Sequence, residues 1–268
     1  AIISGANQGV GNGVANRMAR LWNEPQHLTI YFTSRNEQRG HDSLAKLKED
    51  LKSEKVGDVS FEYHQLDITD EASRTKLLKD IKEKHGGLDI LVNNAGIAGQ
   101  GFDASVVEET LKTNYYSTVS MANEAVPIIR QGGRIVSVAS MAGKLNGYGD
   151  ELTQRFKAVS KQSEADQLMK EFYASVADGT HEQKGWKSAA YSVSKAGLIA
   201  NHRALAKEVQ PKGISVFTCC PGYVDTSMTK HKGVRTLDEG AVTPVACAFD
   251  APESATGSFW ENGKESTW

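Results

Sequence analysis

The strongest constraint on the fold is the regular alternation of short apolar runs with longer stretches of helical periodicity. Seven runs are typical of strands: Ala1–Ser4, Leu28–Ser34, Val59–Leu66, Leu88–Val92, Arg134–Ala139, Ile214–Cys219 and, as a further candidate, Gly257–Trp260. Alternating strands and helices form a parallel sheet with helices on both faces. The sequence therefore predicts an α/β protein built on a doubly wound parallel sheet of about seven strands.

Composition excludes several classes of function. The 268 residues carry a net charge of -2, with 39% hydrophobic and 24% charged residues. This balance, with no basic cluster and no apolar stretch long enough to cross a bilayer, predicts neither a nucleic-acid partner nor a membrane. Cys219, Cys220 and Cys247 lack the spacing of a disulfide framework or a zinc site, so we expect no metal and a reducing, cytoplasmic location. The first strand is unusually short, and we expect a few upstream residues to be missing from this numbering.

No repeat or linker divides the chain, so residues 1–268 are predicted to form a single domain. One segment, residues 149–187, interrupts the alternation because it is polar and helix-prone. Its apolar residues Leu168, Phe172 and Val176 are spaced to share one side of a helix. We interpret this segment as a helical insertion packed on the domain.

A glycine-rich turn follows the first strand and precedes a helix that extends to about Trp22. Glycines at such a junction allow a backbone to approach a pyrophosphate at the helix N-terminus. The residues that would form this site are Gly5, Asn7, Gln8, Gly9, Val10 and Gly11. The motif alone is weak, and a plain strand-to-helix turn is the alternative.

The second strand ends at Ser34-Arg35-Asn36, where an NAD-binding protein usually carries an acid. An arginine there favours a 2′-phosphate and hence NADP(H). Arg39 is a second candidate contact if the next helix begins near Asn36; the alternative for both arginines is a solvated surface position. Asp67 ends the third strand, where it would contact the adenine or cap the next helix with Thr69 or Asp70.

Tyr191 and Lys195 stand one helical turn apart in the run Ala189–Gly197. Residues at this spacing share a helix face. The ammonium is therefore expected to lower the pKa of the phenol and make Tyr191 a usable proton donor near neutral pH. Such spacings also arise by chance, so the pair needs supporting residues elsewhere in the chain.

Those supporting motifs occur in a fixed order along the whole chain: the glycine turn, Asn93–Gly96, Ser140, the Tyr191/Lys195 pair and Pro221-Gly222. Together they resemble the short-chain dehydrogenase/reductase family. Shorter runs make the chain similar to the monomeric NADPH-dependent carbonyl reductases in particular; they are His64–Ile68, Gly87–Asp89, Cys219–Gly222 and Gly185-Trp186.

The resemblance implies a Rossmann-type sheet and four catalytic residues: Asn114, Ser140, Tyr191 and Lys195. In the family, the asparagine helps to hold a water-linked proton path to the lysine. The chain departs from the common pattern at Ser4, which replaces a threonine, at Gln8, which stands where related reductases often have a basic residue, and at Ala139, which replaces a serine. Because Gln8 carries no positive charge, one potential phosphate contact is absent, and NADP selectivity is expected to depend more on Arg35 and Arg39.

The resemblance also implies further binding residues. For the cofactor NADP(H), these are Asp67, Ile68, Asn94, Ala95, Gly96, Tyr191, Lys195, Pro221, Gly222, Val224 and Thr226. For the substrate, they are Ser140, Met141, Tyr191, Tyr223 and Met228, a surface suited to flat apolar carbonyl compounds such as quinones, aryl ketones and aldehydes. Ordinary packing is the alternative for Met228 and the favoured interpretation for Trp186, while His202 is expected to be a surface or interface residue.

The predicted function is therefore NADPH-dependent reduction of a small-molecule carbonyl, with Tyr191 as general acid. One alternative is an alcohol or steroid dehydrogenase that acts oxidatively with the same four residues. Another is a non-catalytic NADP-sensing module. In the related carbonyl reductases, the additional helices cover the surface that other members use to dimerise, so the segment 149–187 implies a monomer.

Overall fold

The computed structural model describes all 268 residues and contains one sheet of eight strands. The strands are β1 (Ile2–Ile3), β2 (Leu28–Ser34), β3 (Val59–Gln65), β4 (Leu88–Asn93), β5 (Ile129–Val138), β6 (Ser215–Cys220), β7 (Phe259–Glu261) and β8 (Lys264–Ser266). Their order in the sheet is β3-β2-β1-β4-β5-β6-β7-β8, and every neighbouring pair is parallel except β7 with β8. The predicted Rossmann-type fold is confirmed.

Nine α-helices connect and flank the strands. They are α1 (Gly9–Leu21), α2 (Glu37–Asp50), α3 (Glu71–His85), α4 (Ala104–Leu111), α5 (Thr118–Ala125), α6 (Asp150–Ala158), α7 (Gln162–Ala177), α8 (Ala190–Val209) and α9 (Leu237–Phe249). Apolar residues of α1, α2 and α9 form the core on one face of the sheet, and those of α3, α5 and α8 form the core on the other. None of the helices has the length and hydropathy needed to cross a bilayer.

Successive side chains of a strand point to opposite sides of a sheet, and helices cover both sides here. Both faces of the central strands are therefore buried. In β1, Ile2 packs on the face covered by α3 and α5, whereas Ile3 packs on the face covered by α1 and α9. Both isoleucines have no exposed surface. This double burial explains why the strands appear in the sequence as continuous apolar runs rather than as alternating patterns.

The eighth strand is the main departure from the predicted fold. Asn262 and Gly263 have φ angles of 55° and 74°, so the chain reverses between β7 and β8 in a tight hairpin. An Asn-Gly pair is a strong hairpin signal, and it was present in the sequence. The other differences are at strand ends, most clearly in β5, which begins at Ile129 rather than at Arg134.

Two helices, α6 and α7, occupy the polar segment 149–187, and α7 packs along α8. The aromatic rings of Phe156, Phe172 and Trp186 meet beneath these helices, with centroids 5.2 Å apart for Phe172 and Trp186. Trp186 is 5% exposed, so it packs in this core as predicted. The segment therefore shares one apolar core with α4 and α8.

His202 is buried, and the prediction of a surface or interface histidine is wrong. It is 1% exposed, and its Nε2 lies 2.8 Å from the Ser137 hydroxyl of β5. Asn93 of β4 donates to the same hydroxyl at 3.3 Å. The periodicity of α8 did not reveal this position because the helix is buried on nearly all sides, against the sheet and against α7.

The burial of His202 predicts a pH dependence of stability. Burial lowers the pKa of His202 from 6.5 to about 3, so between these values the unfolded chain binds the extra proton. The contribution of His202 to the free energy of unfolding is therefore fully present above pH 6.5 and is lost as the pH falls towards 3. In urea titrations across this range, His202→Gln should show a weaker pH dependence than the unsubstituted protein, and parallel curves would contradict the assignment.

Candidate active site

A cleft of about 350 Å³ opens at the carboxyl ends of the central strands, where ligands of such sheets bind. It runs from the β2–α2 connection to the start of α8. Predicted site residues that line it are Gly5, Asn7, Gln8, Gly9, Val10, Arg35, Arg39, Asp67, Ile68, Asn94, Ala95, Gly96, Tyr191, Lys195, Pro221, Thr226 and Met228. One continuous cleft thus joins motifs that are far apart in the sequence.

The glycine turn takes a backbone path that favours glycine. Gly5 and Gly9 have φ angles of 64° and 56°, in the left-handed region. Side-chain bulk at Gly9 would come within 3.3 Å of the Thr226 methyl group, so the loop after β6 lies directly over the turn. The first backbone N–H groups of α1 are left for a ligand because Gln8, at the N-cap position, makes no capping hydrogen bond.

Ser4 connects the glycine turn to the motif after β4. Its hydroxyl accepts hydrogen bonds from the backbone N–H groups of Asn94 at 2.9 Å and Ala95 at 3.0 Å. The Asn94 amide in turn donates to the carbonyl oxygens of Ser4 and Gly5. A hydroxyl is therefore the group that this position requires, which explains how serine can replace the more common threonine.

At one end of the cleft lie Arg35 and Arg39, on either side of the start of α2. The helix begins as expected, with the Asn36 side chain accepting from the Arg39 N–H at 2.9 Å. Both arginines are exposed and neither has an acidic partner within 4 Å, so both guanidinium groups are available to an anion. Asp67 accepts from the N–H and hydroxyl of Thr69 and also lines the cleft, which is compatible with both of its predicted roles.

At the other end, Lys195 lies beneath Tyr191. Lys195 is 4% exposed, and its ammonium donates to the Val138 carbonyl at 2.7 Å and lies 5.6 Å from the centre of the Tyr191 ring. Burial lowers the pKa of Lys195 to about 8. Ser140 lies two residues after the end of β5, and its hydroxyl is near enough to Tyr191 to act on the pKa of the phenol.

The electrostatics of Tyr191 differ from the prediction. Burial raises the pKa of Tyr191, and the nearby Ser140 hydroxyl opposes this only in part. Lys195 does not counter the effect because its ammonium is directed to a backbone carbonyl and is itself destabilised by burial. The phenol therefore retains its proton at neutral pH.

Asn114 lies at the centre of a π-helical turn, Lys112–Ser117, between α4 and α5. Its side chain accepts from the Ile97 N–H and donates to the Ile97 carbonyl, both at 2.8 Å, and it also donates to the Ser194 hydroxyl at 3.2 Å. Such turns are often found at functional sites because they aim a side chain out of the regular helical pattern. Asn114 thus joins Ile97, which follows the Asn93–Gly96 motif, to Ser194 of α8. Ser194 is the residue before Lys195.

Several predicted residues lie beside the cleft without lining it. Gly11 packs against the Gly5 carbonyl and the Asn94 amide, Gly222 against the Arg235 guanidinium, and Val224 against Gly240. Asn114 and Ser140 lie behind or beside the Tyr191 end. Met141 and Tyr223 are about half exposed, at 51% and 50%, on the outer side of the site.

Other residues that line the cleft were not predicted. They are Asn36, Leu66, Thr69, Ile97, Glu109, Thr113, Val138, Ala139 and Ser227. Most are direct neighbours of predicted residues, so the sequence motifs located them to within a few positions. Glu109 has no such signal, because only the fold brings this part of α4 to the cleft.

Comparison with known proteins agrees with this geometry. Residues 1–151 and 174–235 match the model of the family described as short chain dehydrogenase. The chain belongs to the short-chain dehydrogenase family. This confirms the family predicted from the motifs, and the unmatched residues between the two matched parts lie within the segment 149–187.

The relatives of this short-chain dehydrogenase include reductases. The chain is 34% identical to carbonyl reductase (NADPH) 3 of Rattus norvegicus, over 95% of this chain and 92% of that protein. It is 33% identical to carbonyl reductase (NADPH) 1 of Mus musculus, over 100% and 98% of the two chains. Among solved structures, salutaridine reductase from Papaver somniferum superposes with a TM-score of 0.83 at 27% identity, over 97% and 98% of the two chains.

Proposed function

We propose that this short-chain dehydrogenase is an NADPH-dependent reductase of small apolar aldehydes, ketones or quinones, with Tyr191 as general acid. The observation that carries the proposal is the meeting of Tyr191, Ser140 and Lys195 at one end of a cleft whose other end presents two unpaired arginines. The names of the relatives, carbonyl reductase (NADPH), support the same reaction and cofactor.

The cleft fits a phosphorylated dinucleotide. The glycine turn lets a pyrophosphate approach the free N–H groups at the start of α1, and Arg35 and Arg39 are placed to bind a 2′-phosphate. Asp67 and Ile68 would lie near the adenine, with Asn94–Gly96 and Pro221–Thr226 forming the walls towards Tyr191. These residues would hold NADPH in an orientation in which the cofactor would supply a hydride to the substrate carbonyl.

Tyr191 donates the proton in this proposal. An acid must be protonated before the reaction, and the burial that raises the pKa of Tyr191 meets this requirement. Ser140 donates a second hydrogen bond to the same substrate oxygen and stabilises the alkoxide as it forms. Lys195 would bind the ribose near the nicotinamide, and Asn114 holds the turn at Ile97 against the start of α8.

The substrate lies against an apolar surface in this proposal. Three large hydrophobic residues are about half exposed here: Met141, Tyr223 and Met228. Exposed apolar side chains that lie together often mark a binding surface. A tyrosine ring and two thioethers suit a flat apolar carbonyl compound. Val234 is 85% exposed and its N–H donates to the Tyr223 carbonyl, so it extends this surface outwards.

The segment 149–187 supports a monomer. Helix α7 packs along α8, and the Tyr115 hydroxyl beside Asn114 donates to Asp166 of α7 at 2.7 Å. We interpret the segment as an insertion that covers the outer face of α8 and so removes it as a site for self-association. A cytoplasmic location is part of the same proposal, because Cys219, Cys220 and Cys247 are buried and free.

Replacing Tyr191 by Phe tests the general acid. We expect kcat for an aldehyde to fall by about 10² to 10⁴, because the proton donor is lost while the ring remains. Calorimetric titration should give an NADPH Kd close to that of the unsubstituted protein. Turnover unchanged by the substitution would show that another group supplies the proton.

Replacing Arg35 by Leu tests the choice of cofactor. Loss of a charge-assisted hydrogen bond to a phosphate costs about 1.5–3 kcal/mol, so kcat/KM for NADPH should fall about tenfold or more while the value for NADH changes little. Arg155→Leu is the matched control, since Arg155 is an exposed arginine on α6 that pairs with Glu171. Equal efficiency with NADPH and NADH before any substitution would contradict the proposed preference.

Analytical ultracentrifugation tests the monomer. At micromolar concentration we expect a mass near 29.1 kDa, because α7 and its aromatic core cover α8. A species of twice this mass would show that the segment 149–187 does not prevent association.

A further inference from the structure

The loop that follows Ser140 is held from outside by the β7–β8 hairpin and by Trp268. The Trp268 indole N–H donates to the Gly143 carbonyl at 2.7 Å. The next residue, Lys144, donates to Glu261 at 2.8 Å, and the Ser266 hydroxyl donates to the same carboxylate oxygen at 2.6 Å. Two successive residues of the loop are therefore fixed by groups more than one hundred positions later in the chain.

From inside, the same loop packs on the backbone of α8. Side-chain bulk at Gly143 would lie 2.8 Å from the Lys195 carbonyl carbon and 3.0 Å from the Ala196 nitrogen, so there is no room between loop and helix. Ser140 is tied to the loop as well, because its hydroxyl accepts from the Ala142 N–H at 3.1 Å. A shift of the loop at Gly143 would consequently move Ser140 relative to Lys195.

Trp268 also contacts the two helical elements next to this loop. Its ring meets Phe156 of α6 edge to face, with centroids 6.3 Å apart, and the Arg203 guanidinium of α8 lies 5.2 Å from the ring centre. One side chain thus joins the Ser140 loop, the segment 149–187 and the helix that carries Tyr191 and Lys195.

We infer that Trp268, supported by the Lys144–Glu261 pair, is a positioning residue that sets the distance between Ser140 and Tyr191. The inference rests on the proposed function, because it assigns Trp268 a role in that reaction. Trp268 acts through its contacts with the Gly143 carbonyl, Phe156 and Arg203, and it touches no reacting atom. Its contribution should therefore appear in kcat and in the mobility of the loop, and not in the affinity for NADPH.

The test compares Trp268→Phe with Trp22→Phe. The control removes an equivalent bond far from the site, since the Trp22 indole donates to the Gln26 carbonyl at 2.8 Å and its ring packs on Phe249. We expect Trp268→Phe to lower kcat about fivefold or more and to leave the NADPH Kd within twofold, because one positioning hydrogen bond is lost. Trp22→Phe should change neither value.

Amide hydrogen exchange followed by mass spectrometry gives a readout that does not depend on activity. We expect peptides covering residues 140–146 to exchange faster in Trp268→Phe than in the unsubstituted protein, and to be unchanged in Trp22→Phe. Unaltered exchange and kcat in folded Trp268→Phe would overturn the inference. If the unsubstituted protein fails to reduce any carbonyl, the proposed function is wrong, and the exchange data alone decide whether Trp268 holds the loop.

A second variant covers the case in which Trp268→Phe does not fold. Glu261→Gln keeps the size of the side chain but removes the charge that pairs with Lys144. We expect a smaller decrease in kcat, about twofold to threefold, together with faster exchange in the same peptides. If Glu261→Gln leaves both unchanged, the hairpin does not position the loop.

Discussion

The hydrogen bond from the buried Lys195 ammonium to the Val138 carbonyl is the interaction on which the geometry of the site depends. It joins α8 to the last residue of β5, two positions before Ser140. Burial disfavours the charged form of an ammonium, and it lowers the pKa of Lys195 for this reason. The bond holds the end of β5 against the start of α8, and so it contributes to the relative positions of Tyr191 and Ser140.

The surrounding structure supports this contact from every side. The sheet lies beneath α8, the Asn114 side chain reaches Ser194 at its start, and α7 covers its outer face. Three buried polar residues on α8 take part in this arrangement. Ser194 bonds Asn114, Asn201 donates to the Tyr115 hydroxyl and His202 meets Ser137, so the helix is fixed by hydrogen bonds as well as by apolar packing.

Much of the fold and the location of the candidate cleft could be predicted from the sequence because both depend on local patterns. Apolar runs located the central strands, and the order of the motifs identified the family. The eighth strand was missed because Lys264–Ser266 has no apolar pattern, although Asn262-Gly263 signalled the turn before it. The burial of His202 and the raised pKa of Tyr191 could not be predicted, since both depend on which surfaces α8 meets in three dimensions. The contact between Trp268 and Gly143 is of the same kind, because no local pattern relates two residues so far apart in the chain.

The central claim is that the Tyr191, Ser140 and Lys195 site reduces a carbonyl with NADPH. The most direct measurement is the oxidation of NADPH by the purified protein with a panel of quinones, aryl ketones and aldehydes. The loss of absorbance of the reduced nicotinamide follows the reaction. The account predicts substrate-dependent oxidation of NADPH, with the corresponding alcohol or hydroquinone as product. NADPH binding without oxidation by any member of the panel would contradict it and would indicate a protein that binds the cofactor without catalysis.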